Sequence, residues 1–159
     1  MFRTIKTYGN DVGLSCCFRQ HRATHSHCSR LHGYAIGVQL TFEAMTLDDR
    51  HWVQDFGDLK TVKEYLKETF DHKTVVAEDD PMLPWFRELA SAGMLDLVVL
   101  PGVGCEEFAA HIHGAVCNIL NLNDSSRVWL KKVRVFEHGA NAAEYEQPQF
   151  GYDDESFPS

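Results

Sequence analysis

An α+β layer, with strands and helices gathered in separate runs, is the fold class that this sequence of 159 residues predicts. Three observations lead there. Residues 14–21 and 33–45 are rich in β-branched and aromatic side chains and alternate in polarity. Residues 55–70 and 105–121 space their apolar residues as helices do. Residues 127–139 return to alternation. The order strand, strand, helix, helix, strand, strand (ββααββ) is not the strand–helix alternation of a doubly wound sheet.

"LSCCFRQH" (14–21) and "GYAIGVQLTFEAM" (33–45) predict a β-hairpin whose long connection holds "HSHCSRLHGY" (25–34). "DFGDLKTVKEYLKETF" (55–70) sets Leu59, Val62, Tyr65, Leu66 and Phe70 on one helical face, with Asp55 or Asp58 able to cap its start. "DDPMLPWFRELASAG" (79–93) predicts a shorter helix after Pro84 that ends at Gly93, and "LDLVVLPG" a short buried strand. "CEEFAAHIHGAVCNILN" (105–121) repeats Phe108, Ile112, Ala115, Val116, Ile119 and Leu120 at helical spacing. "RVWLKKVRVFEHG" (127–139) predicts a strand that "AAEYEQ" joins through the "HGAN" turn. Residues 1–147 are expected to form one domain, and 148–159 an acidic C-terminal tail.

A net charge of −8 counts against nucleic acid as a partner. The charge is uneven: up to Tyr34 the one acid, Asp11, faces Arg3, Lys6, Arg19, Arg22 and Arg30, which suits a small anionic ligand. No apolar run is long enough for a membrane helix and none marks a signal peptide, so a cytoplasmic protein is expected. The odd, irregularly spaced set of five cysteines predicts reduced thiols.

Chemistry concentrates in the histidine-rich connection. His32 and Tyr34, two apart on a strand, share a face, and His21 at the end of the preceding strand is expected opposite them. Such a pair can share a metal, with Tyr34, His27 or His25 as the third ligand. A single loop histidine more often satisfies backbone groups; a cluster flanking a hairpin favours metal. Cys28, beside Arg30 and several imidazoles, is placed to act as base or nucleophile, whereas Cys16, Cys17, Cys105 and Cys117 read as small buried hydrophobes. Asp71 can orient His72 for acid–base work. Glu137, closing a strand, can accept two hydrogen bonds from the amidine-like edge of a pterin or guanine, while Glu106 and Glu107 open a helix, where a carboxylate complements the dipole.

Together "FRQHRA", "CSRLHGY", "VQDFGDLK", "FDHKTVV", "GCEEFA" and "VFEHG" resemble, in order and spacing over residues 14–138, the 6-pyruvoyltetrahydropterin synthase and 6-carboxytetrahydropterin synthase family. The resemblance implies a tunnelling fold (T-fold): a four-stranded antiparallel sheet with two main helices on one face, copies closing into a barrel, usually a homohexamer. It implies a lyase that uses zinc (Zn2+) to convert the pterin triphosphate 7,8-dihydroneopterin triphosphate. On this pattern His21 and His32 are zinc ligands, Cys28 is the catalytic cysteine, Asp71 and His72 assist it, and Glu137 and Glu106 hold the pterin. Where the family usually reads His-Gly-His this chain reads His32-Gly33-Tyr34. His27 is then favoured as the third ligand, since imidazole ligates zinc more commonly than a phenol, with Tyr34 as the alternative. The bacterial members make 6-carboxytetrahydropterin on the route to 7-deazaguanines such as queuosine. A 6-pyruvoyltetrahydropterin product and a non-catalytic pterin-binding homologue are the alternatives.

Overall fold

The computed structural model describes residues 1–147, so the acidic tail expected at 148–159 lies outside the described residues. Its longest strand, β3 (His32–Ala44), organises the sheet. Ile36, Val38, Leu40, Phe42 and Ala44 alternate onto one face of β3 and have no exposed surface. One edge of β3 is paired in two pieces, by β1 (Phe2–Tyr8) against Val38–Ala44 and by β2 (Leu14–Phe18) against His32–Ile36, with a 3-10 turn at Asn10–Val12 between them. The other edge carries β6 (Val128–His138) and then β7 (Asn141–Glu146), all antiparallel. β4 (Lys73–Ala77) adds in parallel to β2, and β5 (Leu97–Leu100) in parallel to β4.

The sheet is therefore mixed and seven-stranded, larger than the four antiparallel strands that the resemblance implies. β1 was hidden because its faces do not segregate. Thr4 and Lys6 take positions on the same side as buried Tyr8, while Ile5 stands on the other side about half exposed. β4 was hidden because five residues directly after a helix give alternation too little length to register.

Three α-helices are present among the described residues. α1 (Leu59–Phe70) buries Leu59, Val62, Leu66 and Phe70, and α3 (Cys105–Ile119) buries Phe108, Ala109, Ile112 and Val116, all in one core with the apolar face of β3. Phe108 joins the layers, its ring 5.1 Å from both Phe18 and Phe70. α2 (Leu83–Ser91), with Pro84 in its first turn, buries Phe86. α1 begins later than residue 55 and neither aspartate caps it: Asp58 makes no capping bond, and Asp55 accepts the N–H of Gly57 at 2.7 Å.

His113 is the one histidine fully inside the core. Its Nε2–H donates to the Leu130 carbonyl at 2.9 Å, which leaves Nδ1 to accept the Cys117 thiol at 3.8 Å. Burial lowers its pKa, outweighing the opposing effect of the Leu130 bond. The unfolded chain therefore takes this proton near pH 6.5 and the folded chain only below it. Stability is expected to be level above about pH 6.5 and to fall as pH drops below it. Denaturant midpoints between pH 8 and 5.5 should show that slope in the wild type and a flatter one in His113→Gln.

Candidate functional site

The start of β3, the end of β6 and the start of α3 meet at one end of the sheet. The core-side alternation of β3 runs outward from Ile36 to Tyr34 and His32, and that of β6 from Val135 to Glu137. Directly across from His32 on β2 stands Phe18. The His32 ring lies 5.3 Å from that of Phe18 and 5.7 Å from that of Tyr34, meeting the latter edge-on; Tyr34 is in turn 6.3 Å from His138. Gly33 is required between them because a Cβ there would run into the Cys16 carbonyl oxygen. Gly104, which opens α3 at φ 108°, leaves room for Gln20, whose Nε2 would lie 2.7 Å from any Cβ. The loop after β2 is thus packed onto the start of α3.

Glu137 sits where the β6–β7 register breaks between Phe136 and His138, an irregularity that re-aims a side chain at a strand end. Asn10 braces this corner, its Nδ2 donating to the Ala35 carbonyl at 2.6 Å and the Glu137 carbonyl at 3.2 Å. The Glu137 carboxylate, then burial, then Cys28 and Cys105, raise the Tyr34 phenol above its ordinary pKa, so it stays protonated at neutral pH. Burial, then Glu137 and Glu106, push the Cys105 thiol up to about 12. Cys105 is therefore a neutral thiol. Glu106 is exposed in the first turn of α3, where its charge complements the helix dipole.

Cys28 lies in the loop that packs onto the start of α3. It lies in the 3-10 turn His27–Ser29, where its N–H donates to Ser26 Oγ at 3.2 Å and its carbonyl accepts the Gln20 N–H at 2.8 Å. Both backbone groups are fixed, so the thiol is presented from a pinned position. Asp71 and His72 form a pair as expected, Nδ1 to Oδ1 2.6 Å, but the ring is almost fully exposed. His72 has left-handed backbone (φ 59°), its N–H donates to the Ser15 carbonyl at 2.7 Å, and it opens onto a cleft of about 440 Å³ shared with Cys17, Tyr34, Lys73 and Asp96.

The expected zinc ligands are not brought together. β2 ends at Phe18, so Phe18 and not His21 faces His32. Beyond it Arg19 forks onto Asp80 with bonds of 2.8 and 2.7 Å, turning the chain towards the β4–α2 connection. There the His21 ring lies 3.8 Å from Asp79 and 4.0 Å from Asp80. His25 and His27 are exposed. His32 Nδ1–H is given to the Arg30 carbonyl at 2.7 Å. Among the described residues no three His, Cys, Asp or Glu side chains are grouped to hold a metal ion, so the set His21, His27 and His32 does not fit the zinc that the resemblance implies.

A family model described as 6-pyruvoyl tetrahydropterin synthase matches residues 11–148. The chain belongs to that family. A 6-carboxy-5,6,7,8-tetrahydropterin synthase of Aquifex aeolicus is 32% identical over 63 residues, a stretch that covers 40% of this chain and 39% of that relative's length. Among solved structures, an uncharacterized protein of Wolinella succinogenes superposes with a TM-score of 0.74 at 18% identity, over 92% of this chain and 98% of the other. The 6-pyruvoyl tetrahydropterin synthase of Plasmodium vivax superposes with a TM-score of 0.64 at 16% identity, over 92% and 99%. These likenesses carry the fold of the family.

Four residues of this family member's site went unassigned in the sequence. Asp80 and Asn10 act across long sequence separations and leave no local pattern, and Arg19 counted only as one of the basic residues suited to an anionic ligand. Phe18 had a signal: Leu14, Cys16 and Phe18 alternate onto one face, which the histidine at position 21 does not continue.

Proposed function

We propose that the protein is a carbon–oxygen lyase that converts 7,8-dihydroneopterin triphosphate to 6-carboxytetrahydropterin. The observation that carries this reading is that Tyr34 and Glu137 share one face at one end of the sheet while the loop that holds Cys28 packs onto the adjoining start of α3, giving a carboxylate for the pterin edge and a thiol for proton transfer. Glu137, with Glu106 nearby, holds the 2-amino-4-oxo edge. Cys28 takes a proton from the substrate side chain, and the C–O bond to triphosphate breaks with its electron pair leaving on the phosphate oxygen. Asp71 and His72 are the second proton-handling pair. Release of acetaldehyde, with one water consumed, completes the 6-carboxy product. The name of the Aquifex relative favours this product over 6-pyruvoyltetrahydropterin.

Several features agree with the setting this reading requires. The outer edges of β1 and β7 offer unpaired backbone groups to neighbouring copies, in keeping with a homohexamer. Five free cysteines suit the reducing cytoplasm, and among the described residues no helix is long and apolar enough to cross a membrane.

The deciding experiment incubates the protein with 7,8-dihydroneopterin triphosphate and identifies products by mass spectrometry. Triphosphate with 6-carboxytetrahydropterin is expected; intact substrate after prolonged incubation would refute the lyase reading. Glu137→Gln keeps the shape but loses the charge that strengthens the paired hydrogen bonds. Affinity for the pterin should fall about 10–100-fold, the loss of roughly 1.5–3 kcal/mol for bonds to a charged group. Unaltered affinity by fluorescence titration would place the anchor elsewhere.

A further inference from the structure

We propose that this site works without a metal ion, and that the Tyr34 hydroxyl is the polar group that meets the ligand beside His32. The inference rests on the pterin site proposed above for the position of the ligand, but its metal component stands on the protein's own donor atoms.

A protein-bound zinc ion needs three or four ligands whose lone pairs converge. His32 contributes one, because its Nδ1–H is already bonded to the Arg30 carbonyl. Two neighbouring positions share its face closely enough to complete a set: the residue directly across on β2 and the residue two along on β3. These are Phe18 and Tyr34. Phe18 has no lone pair to give. Nor can it swing aside for another residue, since it is 1% exposed and stacked edge-on against Phe108. His21, three residues on, is carried away by the Arg19–Asp80 fork and faces two carboxylates instead. The replacement is coherent: an aromatic wall and a phenol occupy the two places.

Tyr34 is half-buried, and its hydroxyl makes no hydrogen bond among the described residues. An O–H left free on the strand face that carries His32 and Glu137 is a donor in waiting for a side-chain oxygen of the ligand. A ligand oxygen that would otherwise sit on a cation can accept from Tyr34 and donate to His32 Nε2.

The test has two readouts independent of turnover. Wild type and His32→Ala are equilibrated with zinc chloride, exchanged into metal-free buffer, and their zinc counted by plasma mass spectrometry. Much less than one zinc per chain is expected, with no difference between the two proteins. A zinc that persists in His32→Ala lies elsewhere and leaves the proposal standing. One zinc per chain in the wild type that is lost in His32→Ala overturns it. In parallel, affinity for 7,8-dihydroneopterin is titrated by fluorescence. It should be indifferent to a chelator, and Tyr34→Phe should weaken it about 3–10-fold, the worth of one neutral hydrogen bond. A loss of binding on chelation overturns the metal-free claim, and full affinity in Tyr34→Phe overturns the role of the hydroxyl. A wild type that binds no 7,8-dihydroneopterin at all would refute the pterin site and the Tyr34 role with it, while the zinc count still decides the metal question.

Discussion

Replacing Cys28 by alanine is expected to lower turnover of 7,8-dihydroneopterin triphosphate by about 10²–10⁴-fold, the usual worth of a positioned acid or base, with pterin affinity little changed. Burial pushes Cys105 and Cys16 up to about 12, so neither supplies a thiolate near neutral pH. Cys28 instead lies on a half-exposed turn whose shape is held by its backbone and by Ser26, not by its sulfur. The substitution therefore removes the thiol without removing the turn, and circular dichroism should show an intact fold. Glu137 is untouched, so the pterin should still bind. Cys105→Ala is the matched comparison, deleting a neighbouring thiol that this mechanism does not use. Single-turnover kinetics decide the matter: a Cys28→Ala protein that keeps its rate would remove the thiol from the chemistry and make His72 the group to test next.

What was legible in the sequence follows from how local each signal is. β3, α1 and α3 are readable because their apolar positions form long unbroken stripes: Ile36 to Ala44 at every second residue, Leu59 to Phe70 and Phe108 to Val116 at helical spacing. The shared face of His32 and Tyr34 followed from the same alternation, and the place of Glu137 at the close of its strand from the pattern of β6. The position of His21 was not readable in this way. Whether a strand continues three residues past Phe18 depends on partners that a local pattern does not contain: the Gln20–Cys28 backbone bond within the loop, and Asp80, 61 residues from Arg19. The expectation that His21 stands opposite His32 failed at that step. A histidine was assigned to a strand that had already ended, and the residue that does face His32 is apolar.

Asp80→Ala is expected to cost about 3 kcal/mol of stability, in the range for breaking a buried ion pair from one side. The Asp80 side chain is 1% exposed and accepts three hydrogen bonds, two from Arg19 and one from the N–H of Met82 at 2.8 Å. Removing it strands the Arg19 guanidinium in a half-buried place and uncaps the turn that leads into α2. Arg19 also donates to the Ser29 carbonyl at 3.3 Å, so the loop that carries Cys28 loses one of its ties to the sheet. Amide exchange in residues 20–30 should therefore quicken more than in β3, and activity should fall with it. Asp80→Asn, which can keep the Met82 bond, should lose less. The pH dependence has a definite sign. The Arg19 hydrogen bonds, the largest of several effects, hold the Asp80 carboxyl below its ordinary pKa. Its contribution is thus complete above the unfolded value of about 3.9 and is lost as pH falls through the lower folded value. The stability gap between wild type and Asp80→Ala, measured by urea unfolding, should be constant from pH 8 to 5 and shrink below about pH 4. A gap that stayed constant into acid would mean that the variant had lost packing around α2, with the charge pair contributing little.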